Sequence, residues 1–126
     1  MKKGVCIIFE NDKNEILLFL RDKKSTIPYP NQWDFLGGGV EEGESPKRAI
    51  VREIREELEL NLKDFHVFRV YRWPEQIETV FHKKLNIDIT KTNLHEGQKI
   101  KYFSKSKLLS MDLAFHDNQI VRDFFK

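Results

Sequence analysis

Three glutamates within one turn of a single helix constrain this chain more than any other feature. Residues 37–44 read Gly37-Gly38-Gly39-Val40-Glu41-Glu42-Gly43-Glu44, and the segment that follows carries Arg52-Glu53-Ile54-Arg55-Glu56-Glu57. Ser45-Pro46 opens a helix between them, because Ser is a favoured N-cap and Pro suits the first helical position. The helix is expected to run to about Leu58. Ile50, Ile54 and Leu58 recur every four residues with Val51 beside them, so one stripe faces a core. At about 100° per residue, Glu56 and Glu57 fall roughly 60° and 40° to either side of Glu53. The three carboxylates therefore share one face at the edge of the apolar stripe. Like charges at these spacings destabilise a helix, and low-dielectric surroundings sharpen the repulsion. A hard divalent cation reverses the sign of the interaction. Mg²⁺ prefers carboxylate oxygens, keeps several waters, and is often completed by substrate phosphates. Bound there, it would polarise a phosphoryl oxygen and activate a water. The glycine run just before the helix lets backbone approach the same phosphates or metal. The ordinary alternative is a solvated face, since Glu44/Arg48, Arg52/Glu56 and Arg55/Glu59 sit at i,i+4 in the favourable direction. The glycine run and the acidic helix in this order and spacing are more specific than either alone.

The remaining segments supply a frame for that helix. Gly4 to Phe9 and Glu15 to Leu20 read as two apolar strands around the polar turn Asn11-Asp12-Lys13-Asn14. Residues 22–32 form a loop, with Pro28 and Pro30 on either side of Tyr29. Trp33 to Leu36 is a short apolar stretch ended by the three glycines. Residues 65–73 read as a strand, Pro74-Glu75-Gln76 as a turn, and Ile77 to Ile89 as one long half-buried strand. Lys99 to Phe103 is a further strand, Ser104 to Leu109 a helical turn, and His116 to Phe125 a closing amphipathic helix. Strands on both sides of a central helix imply a mixed sheet covered by helices in a single domain, 1–126.

The 126 residues carry 22 Lys plus Arg against 20 Asp plus Glu, a net charge of only +2. That balance excludes the broad basic field of a nucleic-acid polymer binder. The lone Cys6 lies in the apolar run Val5 to Phe9 and reads as a buried strand residue. Met1-Lys2-Lys3-Gly4 is too short for a signal-peptide apolar region, and no apolar run reaches membrane-spanning length. We expect a cytoplasmic protein without membrane partners, as a monomer or homodimer.

These residues resemble the Nudix family signature: Gly, five residues, Glu, seven residues, then Arg-Glu-apolar-any-Glu-Glu-any-Gly-apolar. Gly38, Glu44, Arg52, Glu53, Ile54, Glu56, Glu57 and Leu60 stand in register. Trp33-Asp34-Phe35-Leu36-Gly37-Gly38 before the box, and Arg21 after the second strand, resemble the MutT-like branch. The resemblance implies an α/β/α sandwich around a central mixed β-sheet. It also implies Mg²⁺- or Mn²⁺-assisted hydrolysis of the diphosphate linkage of a small-molecule nucleotide substrate. A modified or oxidised nucleoside triphosphate, cut to monophosphate and pyrophosphate, is the leading expectation; nucleotide sugars and dinucleotides are the alternatives. By position in the motif, Glu53, Glu56 and Glu57 would hold the metals, with the Gly38 carbonyl as a further ligand. Glu53 is the leading candidate to position or deprotonate the attacking water, while Arg52 and Glu44 would fix the box.

Outside the box, Glu96 resembles an acidic position near the metals, set against an exposed turn glutamate. Arg21 is a candidate phosphate contact, or one half of a surface ion pair. Gly37 would join the substrate-binding backbone. Asp117 and Asn118 occupy a region where some members contact a base, but Asp or Asn before a helix is more often a cap. Tyr29, Phe35 and Phe115 could line a base pocket, with core packing the better expectation for each. Leu36 replaces a common Pro, and Glu59 replaces the box Gly. Either Glu59 keeps helical angles and Asn61 ends the helix, or the helix end is strained. A non-catalytic nucleotide-sensing module would be expected to lose box carboxylates, and a protein-interaction domain would need no metal.

Overall fold

The computed structural model describes residues 1–126. Its strands are β1 (Lys2–Glu10), β2 (Ile16–Leu20), β3 (Trp33–Asp34), β4 (Leu36–Gly39), β5 (His66–Arg72), β6 (Gln76–Lys84) and β7 (Lys99–Phe103). Its helices are α1 (Pro46–Leu58), α2 (Lys105–Leu108) and α3 (Asp117–Phe124), with a 3-10 turn at Ile89–Lys91. All seven strands join one mixed sheet in the order β3-β2-β1-β6-β5, with β4 on β1 and β7 on β2. No helix is long and apolar enough to cross a membrane.

The β1 strand organises the sheet. It runs parallel to β6 from Lys2↔Gln76 to Glu10↔Lys84 and antiparallel to β4 from Gly4↔Gly39 to Ile7↔Leu36. Its apolar run is buried on both faces, as expected for a strand covered on each side. Alternation sends Val5, Ile7 and Phe9 toward Ile50, Ile54 and Leu58 of α1, while Cys6 and Ile8 meet Leu113, Ile120 and Val121. Helices thus lie on opposite faces of a mixed sheet, the expected α/β/α sandwich.

Two boundaries differ from the sequence reading. The glycine run does not end a strand but forms β4 itself. A Cβ added to Gly37 would stand 2.1 Å from the Val5 carbonyl oxygen, so only glycine fits that close strand approach. The long strand expected to reach Ile89 stops at Lys84, opposite the last residue of β1. Beyond it the chain has no strand to pair with. The Leu85 N–H donates to Glu10, and the Tyr102 hydroxyl donates to the Leu85 carbonyl at 2.7 Å while accepting from the Ile87 N–H. Asp88 then caps the 3-10 turn through the Thr90 N–H.

The helix that carries the glutamates is bounded by identifiable signals. The Ser45 hydroxyl accepts the Arg48 N–H at 3.1 Å, with Pro46 at the first helical position. At the other end Glu59 adopts φ 55, ψ 32, and its N–H donates to the Arg55 carbonyl. Glu59 therefore fills the left-handed position that suits Gly, and Asn61 is not the terminator. Its carboxylate meets the His95 ring, an exposed contact that offsets little of the backbone strain. Replacing Glu59→Gly is expected to raise stability by about 1 kcal/mol in denaturant titration and to leave metal-dependent turnover within a fewfold. A fall in stability would show that the His95 contact outweighs the strain.

Candidate active site

The position of α1 on the sheet separates the three glutamates. Ile50 and Ile54 lie about 60° and 100° from Glu53 on the side of Glu57, so Glu57 turns inward and Glu56 outward. Glu57 is 2% exposed, and neither of its carboxylate oxygens has a hydrogen-bond partner. Burial, reinforced by Glu96 and Glu53, pushes its carboxyl up to about 10. Glu53 stands at the rim. Burial raises its carboxyl above the usual range, against the pull of Arg52. Oxygens of Glu53, Glu57 and Glu96 all lie within 4.8 Å of one another. Glu56 is not part of this group. Its side chain is mostly exposed and leans on Arg52 at 3.5 Å, because the rotation of the helix turns it away from Glu57.

Arg52 ties the box together. Its Nε and Nη2 donate to the two oxygens of Glu44 at 2.8 and 2.9 Å. Its Nη2 also donates to the Gly39 carbonyl and its Nη1 to Glu53, each at 3.0 Å. This two-pronged pairing is the geometry that distinguishes Arg from Lys. The Arg52 contact holds the Glu44 carboxyl down at about 2. Glu44 also accepts the Glu41 N–H, which closes the loop between β4 and α1. Every donor of Arg52 thus faces the protein framework. Gly38 lies against Glu53: a Cβ there would stand 2.4 Å from the Glu53 carboxyl carbon.

The segment carrying Glu96 is clamped from both sides. The His95 N–H donates to the Glu57 carbonyl at 2.9 Å, one of the acceptors left open at a helix C-terminus. The Gln98 N–H donates to the Leu20 carbonyl at 2.8 Å, and its side-chain amide to the Arg21 carbonyl and Asn31. Between them Gly97 takes φ +79, with an added Cβ only 2.5 Å from the Phe19 ring. The bonds at positions 95 and 98 thus deliver Glu96 to the end of α1.

A cleft of about 240 Å³ opens beside Gly37, Gly38 and Glu96 and runs to Arg21, Asp34, Phe35, Glu78, Phe115 and Asp117. The Ala114 N–H donates to the Trp33 carbonyl at 2.9 Å, which seats Phe115 and the start of α3 against this wall. Phe115 and Tyr29 both hold φ 50, strained for bulky residues. Their ring centres lie 4.5 Å apart by the cleft, tilted 49° to one another and half exposed. Phe35 lines the cleft and also packs into the core. Arg21 pairs with Asp34 at 3.1 Å, donates to the Pro28 carbonyl and lies 5.0 Å from the Phe115 ring centre. The ion-pair reading of Arg21 describes this arrangement.

Asp117 and Asn118 do not cap α3, because the position before the helix is His116, which makes no side-chain cap. Asp117 is 2% exposed and accepts the Phe35 N–H at 3.2 Å, tying the start of α3 to the β3–β4 junction. Burial, then Asp34, raise its carboxyl. Asn118 instead brackets the Met111–Leu113 turn. Sequence reasoning missed Asp34 and Glu78. Burial raises the Glu78 carboxyl, and it accepts the Trp73 indole N–H at 2.9 Å. The available signal was an acid inside each of two strands, Trp33-Asp34-Phe35 and Ile77-Glu78-Thr79.

The residues present fit a hard divalent cation. Two buried carboxylate oxygens lack any donor, the donor set is all oxygen, and Gly38 keeps open the space that a Cβ would fill. A sequence model of the NUDIX domain matches residues 1–124. An RNA pyrophosphohydrolase of Nitratiruptor sp. is 35% identical over 105 residues, covering 76% of this chain and 63% of its own length. The nucleoside triphosphatase NudI of Escherichia coli is 44% identical over 54 residues, 43% of this chain and 37% of its own. The chain therefore spans less than two thirds of either relative. The solved MutT protein of Methanosarcina mazei Go1 superposes with a TM-score of 0.78 at 25% identity, over 98% of this chain and 91% of that one. With the box residues in register and a family match across nearly its whole length, the chain belongs to the Nudix family.

Proposed function

We propose that this chain is a pyrophosphohydrolase that cuts a nucleoside triphosphate to monophosphate and pyrophosphate, with a divalent cation held by Glu53, Glu57 and Glu96 beside the Gly38 backbone. The observation that carries this reading is the pair of unpartnered Glu57 oxygens gathered with Glu53 and Glu96 at the mouth of the cleft. The bound cation, Mg²⁺ or Mn²⁺, would polarise a phosphoryl oxygen and acidify a water. The protein's own groups supply position and proton transfer. Glu53, at the rim and oriented by Arg52, accepts the proton of the water that attacks phosphorus. Arg52 acts through Glu53 and Glu44, because all its donors are committed. Glu56 assists only through Arg52. The diphosphate lies along Gly37 to Gly39, and the base enters between Phe115, Phe35 and the acidic inner wall. Asp34, Glu78 and Asp117 make that wall rich in acceptors, which favours a base bearing N–H groups. Arg21 holds the wall through Asp34.

The relative named RNA pyrophosphohydrolase favours a second reading, in which the triphosphate is carried on the 5′ end of an RNA. A panel of nucleoside triphosphates, nucleotide sugars, dinucleoside polyphosphates and 5′-triphosphate RNA, scored by phosphate or pyrophosphate release, separates these substrates. Tight binding without turnover on every member would replace hydrolysis by sensing.

Glu53→Gln and Glu57→Gln are each expected to lower kcat by about 10²–10³-fold or more. Glu44→Gln and Glu56→Gln, which act through Arg52, are expected to cost about 10–100-fold. Unchanged turnover in both Glu53→Gln and Glu57→Gln would refute the assignment.

Without divalent cations, Glu57 also sets a pH dependence of stability. Its carboxyl titrates at 4.5 when unfolded and at about 10 when folded, so the folded state holds the extra proton between those values. Stability therefore falls as pH rises through this window. The thermal midpoint in chelator is expected to drop from pH 5 to pH 9, and Glu57→Gln is expected to flatten the slope. Millimolar Mg²⁺ is expected to raise the wild-type midpoint, more at high pH than at low, because the cation competes with that proton.

A further inference from the structure

The opposite end of β1 holds a group of side chains that the proposed hydrolysis does not use. His66 of β5 and His82 of β6 are directly opposed across the antiparallel ladder, and His82 is aligned with Ile8 of β1. Glu10 lies two residues beyond Ile8, so all three side chains share one face of the sheet. The Glu10 carboxylate and His82 Nε2 are 3.0 Å apart, both side chains largely buried. A carboxylate only accepts, so His82 carries its proton on Nε2 and keeps a lone pair on Nδ1. The His82 ring is braced by Phe124 at 5.1 Å. Its Nδ1 stands 3.2 Å from Nε2 of His66, an exposed ring on the edge strand, and the two rings are nearly perpendicular.

The geometry points to a second metal site, in which Nδ1 of His82 and Nε2 of His66 bind one borderline first-row divalent cation of the Zn²⁺ or Ni²⁺ class. Two nitrogens on a tetrahedral zinc at 2.0–2.1 Å lie roughly 3.3 Å apart, close to the spacing observed here. Imidazole donors select this class over Mg²⁺. Glu10 supplies the carboxylate–histidine arrangement that fixes tautomer and ring orientation at zinc sites. In the metal-free protein the His66 N–H donates to His82. Binding moves that proton to the other nitrogen of His66, and a small turn of this exposed ring aims its lone pair at the cation. Water completes the coordination. The site is distinct from the glutamate cluster: it lies about six strand residues, roughly 20 Å, along β1 from Gly4 at the cleft. An occupied site would pin edge strand β5 to β6.

The test is titration of the full chain with Zn²⁺ in excess Mg²⁺, followed by calorimetry, the thermal midpoint and the ring ¹⁵N resonances of the four histidines. One equivalent is expected to bind with micromolar affinity, raise the midpoint and shift only His66 Nε2 and His82 Nδ1 as ligands. His66→Ala, an exposed substitution that spares the core, is expected to remove both effects. Glu10→Gln is expected to weaken binding about 10-fold or more. His95→Ala, His116→Ala and Glu57→Gln are expected to leave binding unchanged. Zn²⁺ binding that survives His66→Ala, that disappears in Glu57→Gln, or that is absent from the wild type overturns the proposal and leaves an imidazole hydrogen bond alone.

Discussion

A carboxyl group with no donor for either oxygen, held inside the protein, sets the terms for everything around it. Glu57 is such a group. Desolvation disfavours its charged form, and Glu96 and Glu53 add like charge rather than relief. The protein's own groups leave two outcomes: the proton stays, or a cation arrives. A core leucine would pack there without either cost, so the arrangement is expensive as structure, and the proposed cation-binding device is what would make use of it. That is why the reading rests on Glu57 more than on Glu53 or Glu96, which keep contact with solvent or with Arg52.

The surrounding elements read as means of keeping that device intact. Arg52 bonds to Glu53 of the cluster, yet its donors are absorbed by Glu44, Gly39 and Glu53. It therefore orients the rim without neutralising Glu57. The glycines serve the same end from the sheet side. Gly37 lets β4 press onto β1, and Gly38 leaves room beside the Glu53 carboxylate. The third carboxylate arrives on a loop of little regular structure, fixed because His95 satisfies the last turn of α1 and Gln98 continues the ladder from Leu20. Helix end, strand end and loop are thus joined by backbone bonds that would form whatever residue stood at position 96.

Much of this was legible in the residues, for reasons that can be named. Helix α1 announces itself through Ser45, Pro46 and the Ile50–Ile54–Leu58 stripe, because capping and amphipathicity are local properties. The division between Glu56 and Glu57 was also present, since the isoleucines lie on the Glu57 side of Glu53; treating the three as one face overlooked it. What stayed hidden depends on contacts between distant segments. Asp117 looks like a cap because caps are local, but its partner is the Phe35 N–H, 82 residues away. The end of β6 is decided by where β1 stops, not by the alternation of residues 77–89. The His66–His82 alignment follows a register that shifts between Val67 and Arg69, which no periodicity encodes.

One strand then connects chemistry at both ends of the sheet. β6 carries Glu78 into the cleft wall and His82 to the far side, four residues on and on the same face. Between them Val80 is fully buried in the core shared with Cys6 and Ile8. Polar residues survive on a buried face only where partners meet them: Trp73 reaches Glu78, and Glu10 reaches His82. The donor types at the two ends are opposed, carboxylate oxygens near the glycines and imidazole nitrogens near Glu10. Imidazole nitrogens suit borderline first-row cations and discriminate against hard Mg²⁺, whereas carboxylate oxygens accommodate Mg²⁺.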